Sequence, residues 1–89
     1  MSDILLIIAQ VLLEELKPPK PATGVLKNIR CWTIIYSYSI LGHEIEVRIY
    51  LRSEDVLVHR YNRVSSSVYI NYEDPDLIQQ IQDFLDRSI

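Results

Sequence analysis

The chain has 89 residues and a formal net charge of −3, enough for one domain and too little for two, and that charge draws it toward neither nucleic acid nor an anionic membrane. Leu, Ile, Val and Phe supply 32 of the 89 residues, which excludes a disordered chain, although a domain this small buries only roughly 60–65% of its unfolded surface. The single cysteine, Cys31, excludes an internal disulfide and fits a cytoplasmic protein.

The first element is expected over residues 1–17. Ten of the fourteen residues in "DILLIIAQVLLEEL" (Asp3 to Leu16) are apolar. A secretory signal would begin with basic residues; here Ser2 and Asp3 precede the run and Glu14-Glu15 follow it. A membrane span needs about 20 apolar residues, and this run is interrupted at Gln10, so no membrane partner is expected. On a helical wheel the polar residues Asp3, Gln10, Glu14 and Lys17 fall on one narrow stripe. An ordinary surface helix has an apolar stripe a little over about 100° wide, and this one exceeds it. One sheet face cannot cover so much, so a second helix or a second subunit must cover the rest. Ile4, Leu6, Ile7 and Leu13 are the candidates for contact beyond the chain's own core. Within one chain, Phe84, Leu85 and Ile89 of the last helix are the alternative cover. Ser2 or Asp3 caps the start, and Pro18-Pro19 stop the helix at Lys17.

Residues 18–24 form a Pro-rich connector with a preference for extended polyproline II geometry. Pro18 and Pro21 have PxxP spacing, but no basic residue occupies the flanking position of a docking ligand, so the stretch reads as a stiff linker.

Residues 25–72 read as an antiparallel sheet. The clearest hairpin turns at Leu41-Gly42. Pairing across it sets Tyr38 against Ile45, Tyr36 against Val47, Ile34 against Ile49 and Trp32 against Leu51. The alternate set is Ser39 with Glu44, Ser37 with Glu46, Ile35 with Arg48, Thr33 with Tyr50 and Cys31 with Arg52. One face is apolar and the other mixed polar, and a one-residue slip destroys the sorting. "RSED" (Arg52 to Asp55) turns the chain into a third strand, Val56 to Tyr61. Its inward set is either Val56 and Val58 or Leu57, His59 and Tyr61. A fourth strand follows at Val68 to Tyr72.

Residues 73–89 read as a helix, with Asp74 as cap and Pro75 at the first helical position. Leu77, Ile78, Ile81, Phe84 and Leu85 make its apolar face; Gln79, Gln80, Gln82, Asp83 and Asp86 lie opposite. The expected fold is a two-layer α+β domain spanning 1–89, in which a four-stranded antiparallel meander carries both terminal helices on one face, in the order α-β-β-β-β-α.

No residue set points to catalysis. Cys31, His43 and His59 fall on separate parts of the sheet, so a thiol–imidazole pair is not expected. His43 and Glu44 point to opposite faces of a strand, and no zinc-type spacing occurs. The two glycines, Gly24 and Gly42, are isolated, which leaves no phosphate-cradling loop. No cofactor, metal or small-molecule ligand is expected, and the chain reads as a non-enzyme.

Charge is unevenly distributed. Residues 25–72 carry six bases against four acids, and residues 73–89 carry five acids against Arg87. Arg48, Tyr50, Arg52, Arg60 and Arg63 are therefore the candidate residues for a basic, tyrosine-bearing sheet face that would hold single-stranded nucleic acid. The helix–strands–helix order resembles the double-stranded-RNA-binding domain in topology. That family grips phosphates with a lysine cluster at the start of its second helix, where this chain has "EDPDLIQQ", whose acids repel phosphate. The favoured expectation is a protein-interaction module, a homodimer or an accessory or adaptor subunit, associating through its first helix; nucleic-acid binding is the alternative.

Overall fold

A computed structural model describes residues 3–87; Ser2 and Ile89, named above as a cap and a cover for the first helix, lie outside the described residues. The fold is α+β. Helix α1 (Asp3–Glu15) leads into strands β1 (Thr23–Arg30), β2 (Thr33–Ile40), β3 (His43–Leu51), β4 (Asp55–Tyr61) and β5 (Ser66–Asn71), and helix α2 (Leu77–Asp86) follows. The strands make one antiparallel meander in the order β1-β2-β3-β4-β5. The sheet thus has five strands, not four. The additional one is β1, and all eight of its residues are exposed. With neither face covered it needs no polar–apolar alternation, so the pattern that betrays a half-buried strand is missing from "TGVLKNIR".

The central hairpin has the register that face-sorting demands. Tyr38 pairs with Ile45, Tyr36 with Val47, Ile34 with Ile49, and Thr33 with Tyr50. Its turn at Leu41-Gly42 has positive φ at both residues, +51° and +81°, the combination that matches the right-handed twist of two strands joined by two residues. At the far end the ladder stops at Thr33, because Cys31 and Trp32 form the β1–β2 turn, again with positive φ. The expected Cys31–Arg52 pair therefore does not form. Trp32 keeps its neighbour through its carbonyl, which accepts the Leu51 N–H at 3.0 Å.

Strand β4 resolves its two alternatives in favour of Val56 and Val58, both fully buried, with Arg60 on the same face. One sheet face thus carries Ile34, Tyr36, Tyr38 and Ile40 from β2, Ile45, Val47, Ile49 and Leu51 from β3, and Ile70 from β5. Leu5, Ala9, Leu12 and Leu16 from α1, and Ile81, Phe84 and Leu85 from α2, are buried as well. Each fully buried aliphatic side chain is worth about 1.5–3 kcal/mol, so this layer dominates stability.

Both helix ends are set by specific bonds. Pro18-Pro19 stop α1, but the connector is a turn and not an extended rod: Ala22 N–H donates to the Pro19 carbonyl at 3.0 Å. Gln82 of α2 clamps the same end. Its Oε1 accepts the Lys17 N–H at 3.0 Å and its Nε2 donates to the Lys17 carbonyl at 2.8 Å, so a residue expected on the outer face ties the helices together. Asp74 Oδ1 accepts the Asp76 N–H at 2.8 Å, and Asp74 Oδ2 accepts from Gln80 Nε2 at 2.8 Å. Helix α2 starts at Leu77 with Asp76 at its N-cap, so Asp74 and Pro75 lie in the turn before it and are not the cap and first helical residue expected; Asp74 orders that turn.

Candidate interaction surfaces

Two surfaces follow from how the helices and strands divide their side chains. The first is the outer flank of α1. Leu5, Ala9, Leu12 and Leu16, at spacings of three and four, form the buried stripe of α1, and the last three join the sheet residues in the core. A helix turns about 100° per residue, so the residues between them emerge elsewhere. Ile4, Leu6, Ile7 and Val11 are 66%, 46%, 57% and 42% exposed. Ile4, Ile7 and Val11 lie on one stripe and continue into a groove of about 150 Å³ lined by Ile7, Ile8, Val11 and Leu12 of α1 and Leu77 and Ile78 of α2. Of the four expected contact residues, Ile4, Leu6 and Ile7 are exposed, but Leu6 lies about 100° round the helix from Ile7, across the polar stripe of Asp3, Gln10 and Glu14, and is not on the stripe of Ile4, Ile7 and Val11. Leu13 is instead packed partly against the core, because it lies nearer the buried stripe. Val11 is the member that the sequence reading missed; its spacing of four from Ile7 and seven from Ile4 is the signal that places it on the same stripe. Phe84 and Leu85, the alternative cover for this flank, are buried in the core; α2 meets α1 through Leu77 and Ile78, at one margin of the exposed stripe.

The second surface is the sheet face turned away from the helices, where the tyrosines and arginines were expected to collect. The structure divides them. Arg48 forms an ion pair with Glu46, its Nη1 lies 3.5 Å from the Tyr50 hydroxyl, and its guanidinium stands 5.2 Å from the Tyr61 ring centroid. Hydrogen bonds to Tyr50 and then to Glu46 push the Arg48 pKa above its ordinary value. Arg52 pairs with Asp55 at 3.0 Å and lies 5.2 Å from the Tyr69 ring centroid. Arg63 is exposed in the β4–β5 loop. Arg60 does not belong to this face. It is 4% exposed, lies on the helix side of the sheet, and donates to the Arg87 carbonyl past the end of α2. The reason is period two: Val56 and Val58 fix the inward set, and Arg60 is next in that set. A guanidinium is favourable there, since the C-terminus of a helix carries partial negative charge.

Other hollows are shallow. One of about 370 Å³ is lined by Ser37, Glu44, Ile45, Glu46, Tyr61 and Asn62. Another, of about 280 Å³, adjoins exposed Cys31 and is lined also by Arg30, Thr33, Ile35, Arg48 and Tyr50. His59 pairs with Arg48 across the ladder and stands 4.2 Å from the Tyr61 ring, centroid to centroid. Among the described residues no three His, Cys, Asp or Glu side chains gather in a metal-binding group, and no helix is long and apolar enough to cross a membrane. Comparison with protein-family models, curated proteins and solved structures gave no match for this chain.

Proposed function

We propose that the protein is a small non-enzymatic interaction module that self-associates through the outer flank of α1, as a homodimer or as a subunit of a larger assembly. The observation that carries this reading is the stripe of exposed Ile4, Ile7 and Val11, continuous with the groove beside Leu77 and Ile78. The strength of the contact follows from its size. Covering the exposed half of three such side chains is worth roughly 2–4 kcal/mol per copy. Two copies gain roughly 4–9 kcal/mol against an association cost of roughly 4–15 kcal/mol. The dimer is accordingly of high-micromolar affinity or weaker. The same reading places the protein in a reducing cytoplasm, in keeping with the unpaired thiol of Cys31. The test is an Ile4→Asp/Ile7→Asp variant. It keeps the fold, because both side chains are exposed, and it is monomeric at concentrations where the wild type associates. A variant with wild-type association refutes the role of this flank.

The nucleic-acid reading loses ground by comparison. Arg48 and Arg52 are already paired with Glu46 and Asp55, and Arg60 is turned into the core, which leaves Arg63 as the remaining candidate cation of that set.

A further inference from the structure

Strand β1 is a different surface, and the reading above does not use it. It is an edge of the sheet, with every residue exposed. An edge strand presents a row of N–H and C=O groups that a further strand can pair with. The row is regular over most of its length. A bulge lies between Thr23 and Leu26, with Gly24 at φ +61°, but from Leu26 opposite Ser37 to Arg30 opposite Thr33 the ladder is uninterrupted.

The side chains say what kind of strand fits. Lys27 and Ile29 share the helix-side face with Tyr36 and Ile34, and the Lys27 Nζ stands 5.9 Å from the Tyr36 ring centroid. Leu26, Asn28 and Arg30 lie on the other face. Between Leu16 and His43 the chain holds Lys17, Lys20, Lys27 and Arg30 and not one Asp or Glu, in a protein whose net charge is −3. On β1 itself the charged residues are Lys27 and Arg30, so the edge is basic on an acidic molecule. A second copy of β1 is a poor occupant, because two lysines and two arginines would crowd one short ladder and like charges opposite one another are destabilising.

We propose that β1 accepts an extended acidic–apolar segment of another polypeptide as a sixth strand. Lys27 and Arg30 lie three residues apart on opposite faces, so the incoming strand carries acids three apart, with apolar residues beside Leu26 and Ile29. Read antiparallel to β1, from Arg30 back to Val25, that pattern is Glu-Val-Thr-Glu-Val-Val. The inference shares with the reading above only the premise that the chain works by contact, and its surface is separate.

The probe is a blocked peptide, Ser-Glu-Val-Thr-Glu-Val-Val-Ser, titrated into the full-length chain, with amide hydrogen exchange followed residue by residue. The expected result is slowed exchange in β1 and not in α1. Lys27→Glu/Arg30→Glu weakens binding at least tenfold, and that variant takes instead the peptide with both glutamates replaced by lysine. The proposal is overturned if β1 stays unprotected at millimolar peptide. It is equally overturned if the Glu and Lys peptides bind wild type alike, or if β1 protects itself with rising protein concentration and no peptide present. The Ile4→Asp/Ile7→Asp variant separates the two readings: it binds the Glu peptide as wild type does, whatever becomes of self-association.

Discussion

The same substitution at two neighbouring tyrosines has opposite expected effects. Tyr36 and Tyr38 lie on one face of β2, each 1% exposed. The Tyr38 hydroxyl donates to the Leu85 carbonyl of α2 at 2.8 Å. The Tyr36 hydroxyl is buried without a hydrogen-bond partner among the described residues. Tyr38→Phe removes a donor and leaves a buried carbonyl unsatisfied, a loss of about 1–2 kcal/mol. Tyr36→Phe removes a polar atom whose burial had no compensation, so its effect lies between zero and a gain of about 1 kcal/mol. For a domain of this size 1 kcal/mol moves Tm by roughly 4–8 °C. Urea unfolding of both variants, followed by circular dichroism, with Tm as a cross-check, reads the difference. If Tyr36→Phe destabilises the fold as much as Tyr38→Phe, the two hydroxyls are not in the different environments described here, and the reasoning fails.

Three other outcomes are expected from the same structure. Leu41 occupies the left-handed region, φ +51°, at the tip of the β2–β3 hairpin and is 87% exposed; Leu41→Asn gives the favoured Asn-Gly turn and raises stability by about 0.5–1 kcal/mol in urea unfolding. Leu12→Ala, at a fully buried position of α1, costs about 2–5 kcal/mol, while Leu26→Ala on the exposed edge stays within about 0.5 kcal/mol, as paired denaturation curves of the two variants will measure. Burial raises the pKa of Tyr36, Tyr38 and Tyr72 above 10.0; Arg60 partly offsets the effect at Tyr38, and Asp55 adds to it at Tyr72. The folded state then holds these protons more tightly than the unfolded chain, so their contribution is intact below pH 10 and is lost as pH rises through the folded values. A urea midpoint that falls above pH 10, and falls less steeply in Tyr36→Phe, checks this.

The parts of the fold that the sequence discloses are those where burial is one-sided. Alternation across Leu41-Gly42 gives the hairpin register because only one face of β2 and β3 is covered, so each residue's polarity reports its side. Strand β1 is illegible for the converse reason, since a strand exposed on both faces has no polarity pattern to keep. The turn at Cys31-Trp32 is hidden too: both residues have positive φ, yet neither is the Gly, Asn or Asp that announces such a turn. Arg60 shows how a charge misleads. It looks like a surface residue until Val56 and Val58 fix the phase of β4, after which it must point inward, where the Arg87 carbonyl past the end of α2 accepts from it. On α1 the excess of apolar residues was visible as excess, and Ile4, Leu6 and Ile7 could be named. Separating Leu13 from Val11 required knowing where the buried stripe is centred, and that depends on the sheet, not on the helix alone.

The solution mass of the wild-type chain, by light scattering after size exclusion from about 1 μM to about 1 mM, tests the central claim most directly. Self-association through α1 predicts a mass that rises with concentration from 10.4 kDa toward twice that value, with the midpoint in the high-micromolar range or above. A mass that stays at 10.4 kDa over the whole range contradicts it.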